Sequence, residues 1–121
     1  MEDFVSFDLA KKLKEKGFDG KVSAYYKDTN KIFNTGNASN LNILTGAHSA
    51  PTISQVLKWL REEKRIEAGA VWGNRDGKWV GYVNEMDMPD LVGEHVLPNN
   101  TYDSYELAAL AGIEYVLDNL I

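Results

Sequence analysis

The chain has 121 residues, a formal net charge of −5 and no cysteine. That length suits one domain, expected over 1–121. The lack of thiols excludes disulfide scaffolds, zinc–thiolate sites, iron–sulfur clusters and cysteine nucleophiles. With 44% hydrophobic and 26% charged residues, the composition is globular rather than disordered.

The charge is split unevenly. Residues 1–66 carry a net +3, whereas residues 67–121 hold two basic and ten acidic residues, a net −8. A bulk basic field for nucleic acid is missing, although a local basic face is not. The start, MEDFVSFDLAKK, lacks the apolar core of a signal peptide, and no run approaches the ~18 apolar residues of a membrane span. A cytoplasmic location without membrane contact is expected.

The first helix is predicted over Phe7 to Lys16. Ser6 is its N-cap, Leu9, Ala10 and Leu13 form a narrow apolar stripe, and Gly17 with Phe18 forms the C-terminal cap. Lys11, Lys12, Lys14 and Lys16 read as its solvated side. Residues 21–35 read as a hairpin, with Val22, Ala24 and Tyr26 alternating on one strand and Ile32 and Phe33 on the other. The segment 36–50 is rich in small polar residues around Leu41, Ile43 and Leu44, a long connection that is functional, mobile or partly strand.

A second helix is predicted over 53–64. Thr52 and Gln55 have capping-box spacing, and Ile53, Val56, Leu57 and Leu60 share one face. Trp59 flanks that face, and Lys58, Arg61 and Arg65 gather on another side. Next comes a hairpin over 70–83 around Asn74-Arg75-Asp76-Gly77, whose order suits a type I turn with a bulge at Gly77. That register sets Trp72 opposite Val80 and Ala70 opposite Tyr82, with Trp79, Val71 and Val83 on the other face and Trp79 over Gly73. Both faces are then apolar and need cover.

Residues 84–100 read as an acidic, solvated loop. Glu85, Asp87, Asp90, Glu94 and His95 match no metal-ligand spacing, and no cofactor is expected. The final helix, 105–119, is capped by Asp103 or Ser104. Ile113, Val116, Leu117 and Leu120 form its core stripe, joined by Ala109 and Leu110, and Leu107 widens its apolar surface. The expected fold is a two-layer α+β domain of order α-β-β-α-β-β-α. Its mainly antiparallel four-stranded sheet would carry both later helices on one face.

No catalytic constellation emerges, so the expected protein is not an enzyme. The segments FVSFDLAKKLKEKGF, APTISQVLKWLREEKRI and TYDSYELAALAGIEYVLDNLI resemble small uncharacterised proteins of phage-derived and mobile regions in gut bacterial genomes. That resemblance implies a genomic context and no established activity. Related final helices tend to carry acidic residues where Leu107 and Leu110 stand here, which favours contact with something apolar.

Two functions follow as expectations. One is a protein-interaction or accessory role through Trp72, Trp79, Tyr82, Leu107 and Leu110, with a partner protein or a second copy as a homodimer. The bland counterpart is that the 36–50 and 84–100 loops cover the second sheet face within the monomer. The other function is nucleic-acid binding by Lys58, Arg61 and Arg65 with the 70–83 hairpin in a winged-helix-like layout. It is the weaker reading, because the wing holds only Arg75 and Lys78.

Overall fold

The structure is a computed structural model that describes residues 4–27, 29–73, 77–88, 94, 95, 97 and 101–121. It is α+β, with three helices and small antiparallel sheets, and its core and chain path divide into two compact units, 1–55 and 56–121.

The first unit begins with helix α1, Phe7–Glu15. The Ser6 side chain accepts from the Leu9 amide at 3.2 Å, as the cap requires. The helix stops at Gly17, whose φ of +86° suits a residue without Cβ, and the Phe18 amide donates back to the Leu13 carbonyl at 2.9 Å. Phe18 is buried behind that cap. Lys14 is not merely solvated, since its ammonium donates to the Ala47 carbonyl at 2.6 Å.

Strands β1 (Val22–Tyr26), β2 (Ile32–Ser39) and β3 (His48–Ser49) form a sheet in the order β2-β1-β3. The alternation of β1 is real: Val22, Ala24 and Tyr26 are buried, and the Tyr26 hydroxyl donates to the Val5 carbonyl at 2.8 Å. Burial pushes that hydroxyl's pKa up. Strand β2 is almost wholly exposed and polar. Its pairing jumps from Ala24↔Asn34 to Val22↔Ser39, so residues 35–38 bulge out around Gly36, whose φ is +81°. The segment expected as a long connection is therefore partly strand, followed by a 3₁₀ turn at Leu41–Ile43 that buries Leu41. Asn42 holds this turn in place: its amide donates to the Phe18 carbonyl at 2.9 Å and its carbonyl oxygen accepts from the Ser49 amide at 2.7 Å.

Helix α2 spans Ile53–Glu63 and straddles the division between the units. Its capping box forms in both directions: the Thr52 amide donates to Gln55 Oε1 at 2.8 Å, and the Gln55 amide donates to Thr52 Oγ1 at 3.3 Å. Ile53, Val56, Leu57 and Leu60 are buried, and so is Trp59, which belongs to the core rather than its flank. Arg65 then takes a left-handed φ of +56° and turns the chain straight into the next strand.

The second unit is a hairpin with a helix on it. Strands β4 (Ile66–Gly73) and β5 (Lys78–Glu85) pair over their full length, and the two-residue strand β6 (Glu94–His95) adds to the free side of β5. The four long strands do not make one four-stranded sheet. They divide between two sheets, and the two-residue strands add one to each. Helix α3, Tyr105–Asn119, starts at Ser104, whose hydroxyl accepts from the Leu107 amide at 3.1 Å. Ile113, Val116 and Leu117 are fully buried, with Ala108, Ala109 and Gly112, whereas Leu120 is only half-buried at the helix end.

The hairpin register differs from expectation by one residue. Trp72 pairs with Trp79, Val71 with Val80, Ala70 with Gly81 and Gly69 with Tyr82. Four residues, 74–77, separate the last pair, Gly73 and Lys78; the expected turn at 74–76 lies outside the described residues, and Gly77 has a φ of +62°. A one-residue slip moves every side chain of a strand to the other face. The close approach of α3 explains the choice of register. A Cβ on Gly81 would lie 2.8 Å from the Ala108 carbonyl oxygen, and one on Gly112 would lie 3.3 Å from the Tyr82 carbonyl oxygen. Only small residues fit beneath so near a helix. The observed register places Ala68, Ala70 and Gly81 there and turns Tyr82 away.

Candidate interaction surface

The slip has a chemical consequence: both tryptophans of the hairpin stand on the same face. Trp72 and Trp79 meet edge to face with centroids 5.3 Å apart, and Trp79 meets Tyr105 in the same manner at 5.4 Å. Such pairs contribute about 0.5–1.5 kcal/mol beyond their buried area. Backbone pairing fixes the row. The Trp79 amide donates to the Tyr102 carbonyl at 2.9 Å, and the Tyr102 amide donates to the Trp79 carbonyl at 2.7 Å. The chain entering α3 is thereby stitched to β5, three residues before Tyr105.

The helix steps along β5 with Tyr105 beside Trp79, Ala108 over Gly81, and Gly112 over Val83 and Ala68. Trp72, paired across the ladder with Trp79, is 52% exposed. Val71, on the opposite face, is 53% exposed. These are large apolar groups in exposed positions.

The expected partner residues do not all converge. Trp72 and Trp79 are together. Tyr82 is on the other face, where its hydroxyl covers Gly69, so the aromatic shielding expected of Trp79 over Gly73 is performed by Tyr82 over Gly69. Burial raises the Tyr82 pKa, helped by Glu67 and Tyr105, with Arg61 pulling it down. Leu107 is 52% exposed but sits about 200° round α3 from Tyr105 at roughly 100° per residue, so it faces another way. Leu110 is half-buried. Tyr105 was the residue that sequence reasoning missed. Its one signal was Ser104, whose capping role makes Tyr105 the first helical residue.

Beside the aromatic row, Lys78 donates to Asp103 at 2.6 Å, and this hydrogen bond, with the attraction of the ammonium, lowers the Asp103 pKa. The three cations proposed for nucleic acid do not form one helical face. Lys58 and Arg61 are exposed on α2, but Arg65 lies beyond the helix, and its guanidinium grips Asp87 at 3.2 Å across the open end of the hairpin.

A second polar cluster forms in the stretch expected as an acidic loop. His95 Nε2 lies 2.8 Å from Glu85 Oε2, and His95 Nδ1 lies 3.1 Å from the Tyr115 hydroxyl. In the neutral ring, Nε2–H donates to the carboxylate and Nδ1 accepts from the phenol, which satisfies all three groups. The cluster ties β5, β6 and α3 together. Of the other carboxylates in that stretch, Asp87 is engaged by Arg65, and Asp90 lies outside the described residues. No helix among the described residues is long and apolar enough to cross a membrane.

No protein-family model, curated protein or solved structure matches this chain.

Proposed function

We propose that the protein is a cytoplasmic, non-catalytic interaction module of the mobile-element accessory type, and that it binds another protein through the aromatic end of the β4–β5 hairpin. The observation that carries this reading is the half-exposed Trp72, packed edge to face on Trp79. Tryptophan and tyrosine are the residues that dominate binding energy at protein interfaces, because they bury much area with little conformational freedom to lose. A tryptophan held by a neighbouring ring has even less to lose.

Site-specific photocrosslinking tests this reading. A benzoylphenylalanine placed at Tyr105, in the same row as Trp72 and Trp79, is expected to give discrete protein adducts in bacterial cytoplasm, and the same probe at Asn34 on β2 is not. Equal labelling at the two positions would remove the proposal. Sedimentation at micromolar concentration separates a partner protein from a second copy.

A further inference from the structure

We infer that the partner docks by strand addition: an extended segment of another protein pairs with the free edge of β4 over Ala70 to Gly73 and sets two adjacent apolar side chains against Val71 and Trp72. This deepens the interaction reading above and rests on it.

The first argument is the direction of the main-chain groups. The Trp79 amide and carbonyl are both bonded to Tyr102, so they point away from β4. Residues opposite each other in an antiparallel pair alternate between those that bond each other and those that point apart. Trp72, the partner of Trp79, therefore points its N–H and C=O outward from the hairpin, and so does Ala70 two residues earlier. The Met86 amide, bonded to the Arg65 carbonyl, fixes the same alternation from the other end. β4 is the outer strand of its sheet, and among the described residues no main-chain bond from another element reaches these groups. The outward groups of Ala70 and Trp72 stand about 7 Å apart, which is the two-residue repeat of an extended chain.

The second argument is which side chains are exposed. Val71 and Trp72 stand on opposite faces and are both half open to water, whereas Val80 and Trp79, their partners on β5, are better covered. A partner lying on one face reaches only one of the two. A strand added to the edge reaches both, because successive side chains point to opposite faces. The other outer strands are guarded: β3 and β6 are two residues long, and β2 is interrupted by its bulge. β4 pairs with β5 over its full length without a bulge and carries neither proline nor lysine, the devices that keep strand edges from pairing. Its first half is closed, with Ile66, Ala68 and Gly69 buried, which leaves 70–73. A second copy would have only that same short stretch to offer, where stable interfaces clear about 1,000 Å². A flexible segment can pair there and run on along the aromatic row.

The test is photocrosslinking in bacterial cytoplasm from two opposite faces, with benzoylphenylalanine at Val71 or at Tyr105, in the otherwise unaltered chain and in Ala70→Pro. Proline removes the outward N–H of residue 70 and spares the bonds to β5. An adduct of the same mass is expected at both positions. Ala70→Pro, shown by circular dichroism to be folded, should lower both at least tenfold. An adduct at Tyr105 alone, or adducts at both positions undiminished in folded Ala70→Pro, would overturn strand addition and leave the interaction reading standing. Should the proline variant not fold, labelling at Val71 decides. The absence of any adduct at Tyr105 would overturn both readings. Adducts at twice the mass of the chain would make the occupant a second copy and overturn the separate partner.

Discussion

The two ends of the β4–β5 hairpin are packed differently. At the open end Ile66, Ala68 and Val83 are buried, and α3 approaches so closely that Gly81 and Gly112 have no room for a methyl group without movement. The Arg65–Asp87 pair and the Glu85–His95–Tyr115 cluster fasten the same end. At the turn end the side chains are larger, and half or more of Val71 and Trp72 is open to water. Val71 and Trp72 stand on opposite faces, so the exposed aromatic surface at this end is that of Trp72 and its row. The difference separates residues packed in the core of this unit from residues whose side chains are half open to water.

Substitutions should therefore fall into two classes. Leu117→Ala, at a fully buried position in α3, is expected to cost about 2–5 kcal/mol in chemical denaturation. A cost under about 0.5 kcal/mol, normal for surface changes, would show that this face of α3 is not core. Gly81→Ala places its methyl against the Ala108 carbonyl, which is backbone and cannot rotate away. A loss of about 1–3 kcal/mol is expected, and an unchanged unfolding midpoint would contradict the close helix approach. His95→Ala removes two hydrogen bonds from a partly buried cluster, so about 1 kcal/mol should be lost. Faster amide exchange on its β5 partner, Val83, should accompany that loss. Protection unchanged at Val83 would mean that the cluster does not hold β6 in place.

The smallest effect belongs to the turn end and depends on pH. The Asp103 carboxyl is held below its ordinary value of 3.8 by the hydrogen bond from Lys78 and the charge of its ammonium. A lowered folded-state pKa means that the contribution is complete above the ordinary value and fades as pH falls through the lowered one. An NMR titration of Asp103 should give a midpoint below 3.8, and Lys78→Met should move it upward. A midpoint indifferent to Lys78→Met would show that the pair does not persist in solution.

The helices were legible because their signals are local. Ser6, Gly17, Thr52, Gln55 and Ser104 perform the capping roles that their spacing suggested. The stripes of α1, α2 and α3 are buried except for Leu110 and Leu120, which are half-buried. Pairing was harder to read, because it is decided by distant contacts. Four strands of similar length suggested one sheet, yet they separate into two. Asn-Arg-Asp-Gly permits more than one loop length, and the choice rests on which face α3 can approach. That contact lies some thirty residues away in the chain, between Gly81 and Ala108. The slip carried the candidate surface with it: Trp72 and Trp79, assigned to opposite faces, share one, and Tyr82 leaves them. Tyr105 joins the row through the Trp79–Tyr102 pairing, and His95 finds Glu85 and Tyr115 through the placement of β6; no spacing rule encodes either meeting.

The central claim is that the exposed half of Trp72 is available to a partner. The most direct test is to place the crosslinking probe at Tyr105 both in the unaltered chain and in Trp72→Ser, with circular dichroism to show that each is folded. The account predicts that the folded Trp72→Ser variant loses protein adducts by about tenfold or more, as for an interface anchor. Adducts undiminished in that folded variant would contradict it.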